Sequence, residues 1–250
     1  MEGQVSTGYV LCRPPGHHAE RSEGAGFCIF NNVAVAAAAA REVYGLKRIC
    51  IVDYDVHHGN GTQHIFEGDE HILFISLHQD SNYPLHSGAV TEQGTGQGEG
   101  FTINCPLPPG SGTGAYKAAF ERVVLPALEA FRPELVLVSS GFDASYADPL
   151  GAQILSSQDF RWMATQLKAI ADRHCGGKVL AVHEGGYSEV YTPFCCLAVV
   201  EALAGTSSGI IDPFLHEVSN WGYQRLQNHQ DAAISAAERP VALLKNKMQA

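Results

Sequence analysis

Arg48-Ile49-Cys50-Ile51-Val52-Asp53-Tyr54-Asp55-Val56-His57-His58-Gly59-Asn60-Gly61 passes from a mostly apolar run into a cluster of carboxylates and imidazoles. The β-branched opening predicts a strand over Arg48 to Val52, which leaves the polar residues at its carboxyl end. In extended chain, residues two apart share a face, so Asp53, Asp55 and His57 group together. A carboxylate and a neutral imidazole on one face suit a borderline metal such as Zn²⁺. Any one of these groups could instead cap the strand or hydrogen-bond a loop. A catalytic site needs further ligands from elsewhere in the chain.

Three other segments repeat the pattern. A strand over Tyr9 to Cys12 leads into Arg13-Pro14-Pro15-Gly16-His17-His18, where Pro and Gly end the strand. Both histidines could line a pocket only on irregular backbone; otherwise the pair caps a turn. Leu135 to Val138 reads as a strand buried on both faces and places Asp143 just beyond its end. An Asp there is either a helix cap or a third metal ligand. Lys178 to Val182 predicts a fourth strand, followed by Glu184-Gly185-Gly186-Tyr187, whose glycines would let the tyrosine hydroxyl swing toward the same sheet edge. Four strand ends carrying polar residues converge on one reading, because open α/β sheets place their sites at the carboxyl ends of parallel strands.

Helices are predicted over Asn32 to Tyr44, with Asn31 or Asn32 as cap, Gly114 to Phe131, Ser157 to His174 and Val190 to Leu203. Pro126 kinks the second or marks a break. Strand and helix segments alternate, which predicts an α/β fold with a mostly parallel sheet and helices on both faces. At 250 residues, 45% of them hydrophobic, the chain can bury a sizeable core as one domain spanning 1–250. Gly94 to Gly100 precedes a strand over Phe101 to Cys105, so it reads as a mobile loop rather than a phosphate cradle. With Gln79 to Ala89 it forms a long connection of the kind that borders active sites.

A formal charge of −10 disfavours direct nucleic-acid binding and would attract cationic ligands such as lysine-rich peptides or polyamines. An ordinary acidic protein has the same balance. Seven cysteines, with no Cys-x-x-Cys pair, fit a reducing cytoplasm. The alanine-rich run Val33 to Ala40 is too short to cross a bilayer and suits close helix–sheet packing, so no membrane role is expected. No basic start followed by an apolar run marks a signal peptide.

Taken together, Arg13 to Ala19, Gly26 to Asn32, Asp53 to Thr62, Ser76-Leu77-His78, Gly141-Phe142-Asp143 and Glu184 to Tyr187 resemble the zinc-dependent histone deacetylase family, within the arginase–deacetylase fold. The motifs stand in family order and cover about Tyr9 to Gly205. Asn60 and the Glu184-Gly185-Gly186-Tyr187 wording are similar to the class II branch, including bacterial deacetylase-like amidohydrolases.

The resemblance implies roles. Asp55, His57 and Asp143 would bind one zinc per chain. His18 would act as general base and then acid, while His17, oriented by Asp53, would act mainly electrostatically. Asn60 stands where some relatives have Asp, which implies a less basic His18. Tyr187 would donate to the oxyanion. Phe27 and Tyr83 would wall the substrate tunnel, although Tyr83-Pro84-Leu85-His86 departs from the usual aromatic-proline wording. Gly26 would hold the substrate amide through its carbonyl, and Gly185 is the fourth substrate-binding position. Asp53, Asp55, His57, Ser76 and Leu77 match a potassium site; Phe66, Asp69, Ile72 and Phe101 match a second.

The implied activity is removal of an acyl group, chiefly acetyl, from lysine side chains or related amines. The substrate would be an acetylated lysine peptide, an acetylpolyamine or another small acetylated amine. A non-catalytic zinc-containing scaffold is the alternative of another class. The His17-His18 motif begins almost at the N-terminus, whereas family members carry a substantial segment before it. The resemblance therefore implies a domain lacking its N-terminal part, with exposed apolar surface and a tendency to form homo-oligomers.

Overall fold

The computed structural model describes residues 1–249. In chain order the elements are β1 (Thr7–Val10), α1 (Asn32–Glu42), β2 (Ile49–Asp53), α2 (Asn60–Phe66), β3 (Ile72–Gln79), β4 (Thr102–Leu107), α3 (Thr113–Ala119), α4 (Leu125–Phe131), β5 (Leu135–Ser140), α5 (Ser157–His174), β6 (Val179–His183), α6 (Thr192–Ala204), α7 (Leu215–Ser219) and α8 (Asn228–Gln249). The six strands form one parallel sheet in the order β1-β6-β5-β2-β3-β4. From β2 the chain steps outward to β3 and β4, then returns to lay β5 on the other side of β2. The strand order thus switches direction between β2 and β5, where a crevice opens beyond the carboxyl ends.

Alternation along the strands explains the two covered faces. In β2, Ile49 and Ile51 point to the layer holding Val33, Ala34, Ala37 and Ala40 of α1. Cys50 and Val52 point to the opposite core, with Val123 and Val124, Phe131 of α4 and Leu167 of α5. The small residues of α1 let it pack closely, and Asn31 accepts the Ala34 N–H at 3.0 Å as its N-cap. A reciprocal capping box between Ser156 and Asp159 starts α5, an arrangement worth about 1 kcal/mol.

Pro126 does not break the predicted helix. Between α3 and α4 the chain makes a π-helical segment, Phe120–Val124, immediately before Leu125-Pro126. A proline lacks the N–H for the i−4 carbonyl and its ring crowds that carbonyl, so a wider turn accommodates it. Arg122, within this segment, reaches α8 through Asp231, Ser235 and Glu238. The helix α8 was not predicted: Ile234, Ala237, Val241 and Leu244 form its buried stripe, packed against β4, α3 and α4.

The glycine-rich stretch Gly94 to Gly100, expected to be mobile, is bound to its surroundings. The Thr95 N–H donates to the Glu67 carbonyl at 2.6 Å and Gly100 N–H to the Gln93 carbonyl at 2.6 Å. It is not a strand-to-helix phosphate cradle, since β4 follows it.

The two sheet edges differ. Helix α8 lies along β4, whereas β1 is a four-residue edge strand with no further strand beside it among the described residues. Beside β1 an apolar groove of about 220 Å³ runs between Val5, Ala36, Ala39, Tyr44, Leu137 and Leu180. Leu11, Phe30, Val35 and Val43 are also largely exposed. All seven cysteines are free thiols. No helix among the described residues is long and apolar enough to cross a membrane.

Candidate active site

Register at the switch point sets the floor of the site. Asp53 lies level with Ser139 of β5 on one side and Ser76 of β3 on the other. Two residues beyond Asp53 comes Asp55, and three beyond Ser140 comes Asp143. Both carboxylates are fully buried. His57 Nδ1 lies 3.0 Å from Asp55 Oδ1 and 3.1 Å from Asp143 Oδ2. One ligand atom from each of the three residues falls within 4.8 Å of the others.

This donor set fits a divalent metal. Tetrahedral coordination with bonds of about 2.1 Å places ligand atoms roughly 3.4 Å apart, close to the separations from His57. Two buried carboxylates held this close need a cation between them. Burial lowers the His57 pKa, but hydrogen bonds to Asp143 and Asp55 and their charges overcome that and push it up to about 10. Burial and the charge of Asp55 raise Asp143. For Asp55, burial works upward, but the charge of His17 and the bond to His57 hold it well below the usual carboxylate range. Neighbouring backbone fixes the orientation: Val56 N–H donates to Asp143 Oδ1 at 2.9 Å and Gly185 N–H to Asp55 Oδ2 at 2.8 Å.

The two adjacent histidines have opposite environments. His17 Nδ1 contacts Asp53 Oδ2 at 2.9 Å. Burial works against its charge, but Asp53 and Asp55 raise its pKa well above 6.5. His18 Nδ1 contacts Asn60 Oδ1 at 2.8 Å. Burial first and the His17 charge second lower His18 to about 3, while its bond to Asn60 works upward. Burial and the His17 charge outweigh the upward pull of the Asn60 bond. Glu184, absent from the predicted site, pins this segment: its Oε2 accepts the Gly16 N–H at 2.7 Å and the His17 N–H at 3.1 Å. Its Oε1 accepts the Ser139 hydroxyl at 3.1 Å.

A cavity of about 440 Å³ stands over the floor, lined by His18, Gly26, Phe27, His57, Asn82, Tyr83, Leu150 and Tyr187. Phe27 and Tyr187 face each other with ring centroids 6.0 Å apart. Tyr83 lies 4.9 Å from the His18 ring and 6.3 Å from His57. Gly26 has φ +51°, and a Cβ there would come within 2.2 Å of the His18 ring, so only glycine fits. Gly185 is not on the cavity wall. It packs beneath the carboxylates, where a Cβ would meet Asp143 Oδ2 at 2.1 Å.

The connection between β3 and β4 carries Tyr83, and polar contacts fasten it. His58 Nδ1 meets Ser87 Oγ at 2.6 Å, and His78 Nε2 donates to the Gly88 carbonyl at 3.0 Å. Glu92 accepts from Gln63 Nε2 at 2.6 Å and from the N–H groups of Gly88 and Ala89 at 3.2 and 2.9 Å. Sequence reading quoted His58 and His78 within motifs but gave them no role, and it missed Glu92. The only signal for Glu92 was a surplus of polar residues around a long connection.

For the potassium positions, the β2–β3 pairing brings Asp53 level with Ser76, with Leu77 next along. In the second set, the carbonyls of Phe66, Asp69 and Phe101 accept backbone N–H groups of Asp69, Ile72 and Phe74.

Residues 1–203 match the histone deacetylase domain model. The chain belongs to the histone deacetylase domain family. It is 49% identical over 213 residues to a histone deacetylase-like amidohydrolase of Pseudomonas aeruginosa, covering 85% of this chain and 56% of that protein. A probable deacetylase of Archaeoglobus fulgidus is 38% identical over 235 residues, covering 94% and 64% of the two chains. The crystal structure of the HDA15 HD domain superposes with a TM-score of 0.83 at 37% identity, over 98% of this chain and 67% of that one. The fold is the arginase–deacetylase fold of this zinc-dependent family. The chain spans a little over half to about two thirds of the length of these relatives.

Proposed function

We propose that this chain is a zinc-dependent amidohydrolase that removes acetyl groups from lysine side chains or related amines. The observation that carries the reading is one cavity lined by His18, His57 and Tyr187, with His57 grouped beneath it with the buried carboxylates of Asp55 and Asp143. Zinc held by Asp55, His57 and Asp143 would polarise the amide carbonyl and lower the pKa of water from about 15.7 toward about 7.

The side chains divide the remaining work. His18 is buried with Nδ1 facing Asn60 Oδ1 at 2.8 Å; a proton on Nδ1 would leave Nε2 free to take a proton from water and return it to the leaving amine. His17 keeps its charge beside Asp53 and stabilises negative charge developing nearby. The Tyr187 hydroxyl, its pKa raised by burial, remains a donor and would hydrogen-bond the oxyanion. Phe27 and Tyr83 would flank an aliphatic stem, as an acylated lysine or polyamine presents. Main-chain oxygens of Asp53, Asp55 and His57, together with Ser76 and Leu77, would hold a monovalent cation, potassium in this reading.

Hydrolysis of a fluorogenic acetyl-lysine peptide, with and without chelator, tests the proposal. Turnover that disappears with chelator and returns with zinc is expected. A zinc-loaded protein that hydrolyses neither this peptide nor an acetylpolyamine would instead be the scaffold alternative.

A further inference from the structure

Asn60 opens α2, and His64 follows one helical turn later, so both side chains emerge on the same face. Glu20, two residues beyond His18, lies across that face. Its Oε1 accepts from Asn60 Nδ2 at 2.7 Å and meets His64 Nδ1 at 2.8 Å. The turn bearing Glu20 is held in place, since Glu20 N–H donates to the Glu23 carbonyl at 2.8 Å and Arg21 donates to the Ile65 carbonyl at 2.6 Å. A hydrogen-bonded line therefore runs His18–Asn60–Glu20.

A primary amide can present either end to a neighbour, and nothing in Asn60 itself selects its oxygen for His18. A carboxylate removes that freedom, because it only accepts. With Glu20 on the outer side, the Asn60 NH₂ must turn outward and Oδ1 must turn inward. An inward Oδ1 in turn demands N–H on His18 Nδ1, which leaves the Nε2 lone pair uncommitted. Nε2 has no hydrogen-bond partner among the described residues, and the ring lines the cavity. If Asn60 were reversed, its NH₂ would demand a lone pair on Nδ1 and move the proton to Nε2, disabling the base.

We propose that Glu20 is a positioning residue that sets the tautomer of His18 through Asn60, a carboxylate placed one amide away from the base. The inference rests on the hydrolase reading above and extends it to a residue that does not touch the cavity.

The test is a swap. Glu20→Gln removes the acceptor-only group and should lower kcat about tenfold, the scale of effect expected when an orienting partner is lost, with KM and zinc content unchanged. Asn60→Asp alone sets two carboxylates at hydrogen-bond distance and should also lower kcat. The double variant restores one acceptor-only group in the line, now directly against His18, with the amide introduced by Glu20→Gln donating to it. It should recover kcat above either single variant. A double variant no better than Glu20→Gln, or Glu20→Gln at parental kcat, overturns the proposal, since a merely structural Glu20 would give additive losses. A second readout needs no turnover: ¹⁵N shifts of the His18 ring, assigned by their loss in His18→Ala, should report Nδ1–H in the parent and a mixture in Glu20→Gln. Unchanged shifts in that variant overturn it as well. If no form hydrolyses amides while the shifts respond as stated, the hydrolase reading fails and the positioning role stands.

Discussion

The floor and the rim of the site are held by different means. On the floor, Asp55 and Asp143 leave two neighbouring strands of a parallel sheet, are fully buried, and are oriented by the backbone of Val56 and Gly185. On the rim, Phe27 is 69% exposed and Tyr83 43% exposed, both on connections without regular structure. Tyr83 keeps its place because Glu92, His58 and His78 fasten the loop behind it. A ladder of hydrogen bonds distributes strain over many residues, whereas a loop fastened by a few side chains depends on each. Damage to the floor should therefore abolish the site, and damage to the rim should retune it.

The largest effect is expected at the floor. Asp143→Ala and His57→Ala should lose bound zinc almost completely, from about one per chain, with hydrolysis lost in parallel. Metal analysis of the purified variants checks this, and retained zinc in both would move the metal elsewhere. Tyr187 stands between the two regions, behind β6 yet on the cavity. Tyr187→Phe should keep its zinc and lose on the order of 10²–10³ in turnover; equal turnover at equal zinc loading would remove the oxyanion role.

The floor also predicts a pH dependence of metal binding. Hydrogen bonds to Asp143 and Asp55 push the His57 pKa up to about 10. Zinc must displace the ring proton, so affinity should rise with pH, by about tenfold per unit between pH 7 and 9. Competition titrations with a chromophoric chelator read the slope, and a flat profile would mean that His57 is already neutral. At the rim the effects should be smallest. Tyr83→Ala and Glu92→Ala should lower kcat/KM by about tenfold while zinc content stays at parental level. A Glu92 variant that lost zinc would show that rim and floor are one unit.

The same contrast decides what could be read from the sequence. The floor was legible because strand, polar cluster and glycine punctuation are local signals: Asp53 to Gly61 announces itself, and parallel pairing brings Asp143 to it. Helices with a continuous apolar period, such as Ser157–His174, were likewise legible. What escaped depends on long-range contact. Glu184 acts on Gly16 and His17 across more than 160 residues, and Glu92 acts on Gln63 and its own turn. Helix α8 was overlooked because its apolar stripe is diluted by charges that face Arg122 and solvent. Pro126 was legible as a disturbance; only packing shows that a wider turn absorbs it.

The short edge strand β1 has a consequence for how the protein loses activity. Among the described residues only β6 pairs with it, and it leads directly into the segment bearing His17 and His18. The candidate metal ligands, by contrast, follow β2 and β5, each flanked by strands on both sides. Partial opening begins where fewest contacts must break, so fraying of β1 would withdraw His17 and His18 while Asp55, His57 and Asp143 stay together. On the proposed reading, inactivation by heat or denaturant should pass through an intermediate stage, a species that keeps its zinc yet has lost the proposed base. Its lifetime is set by the grip of one parallel strand.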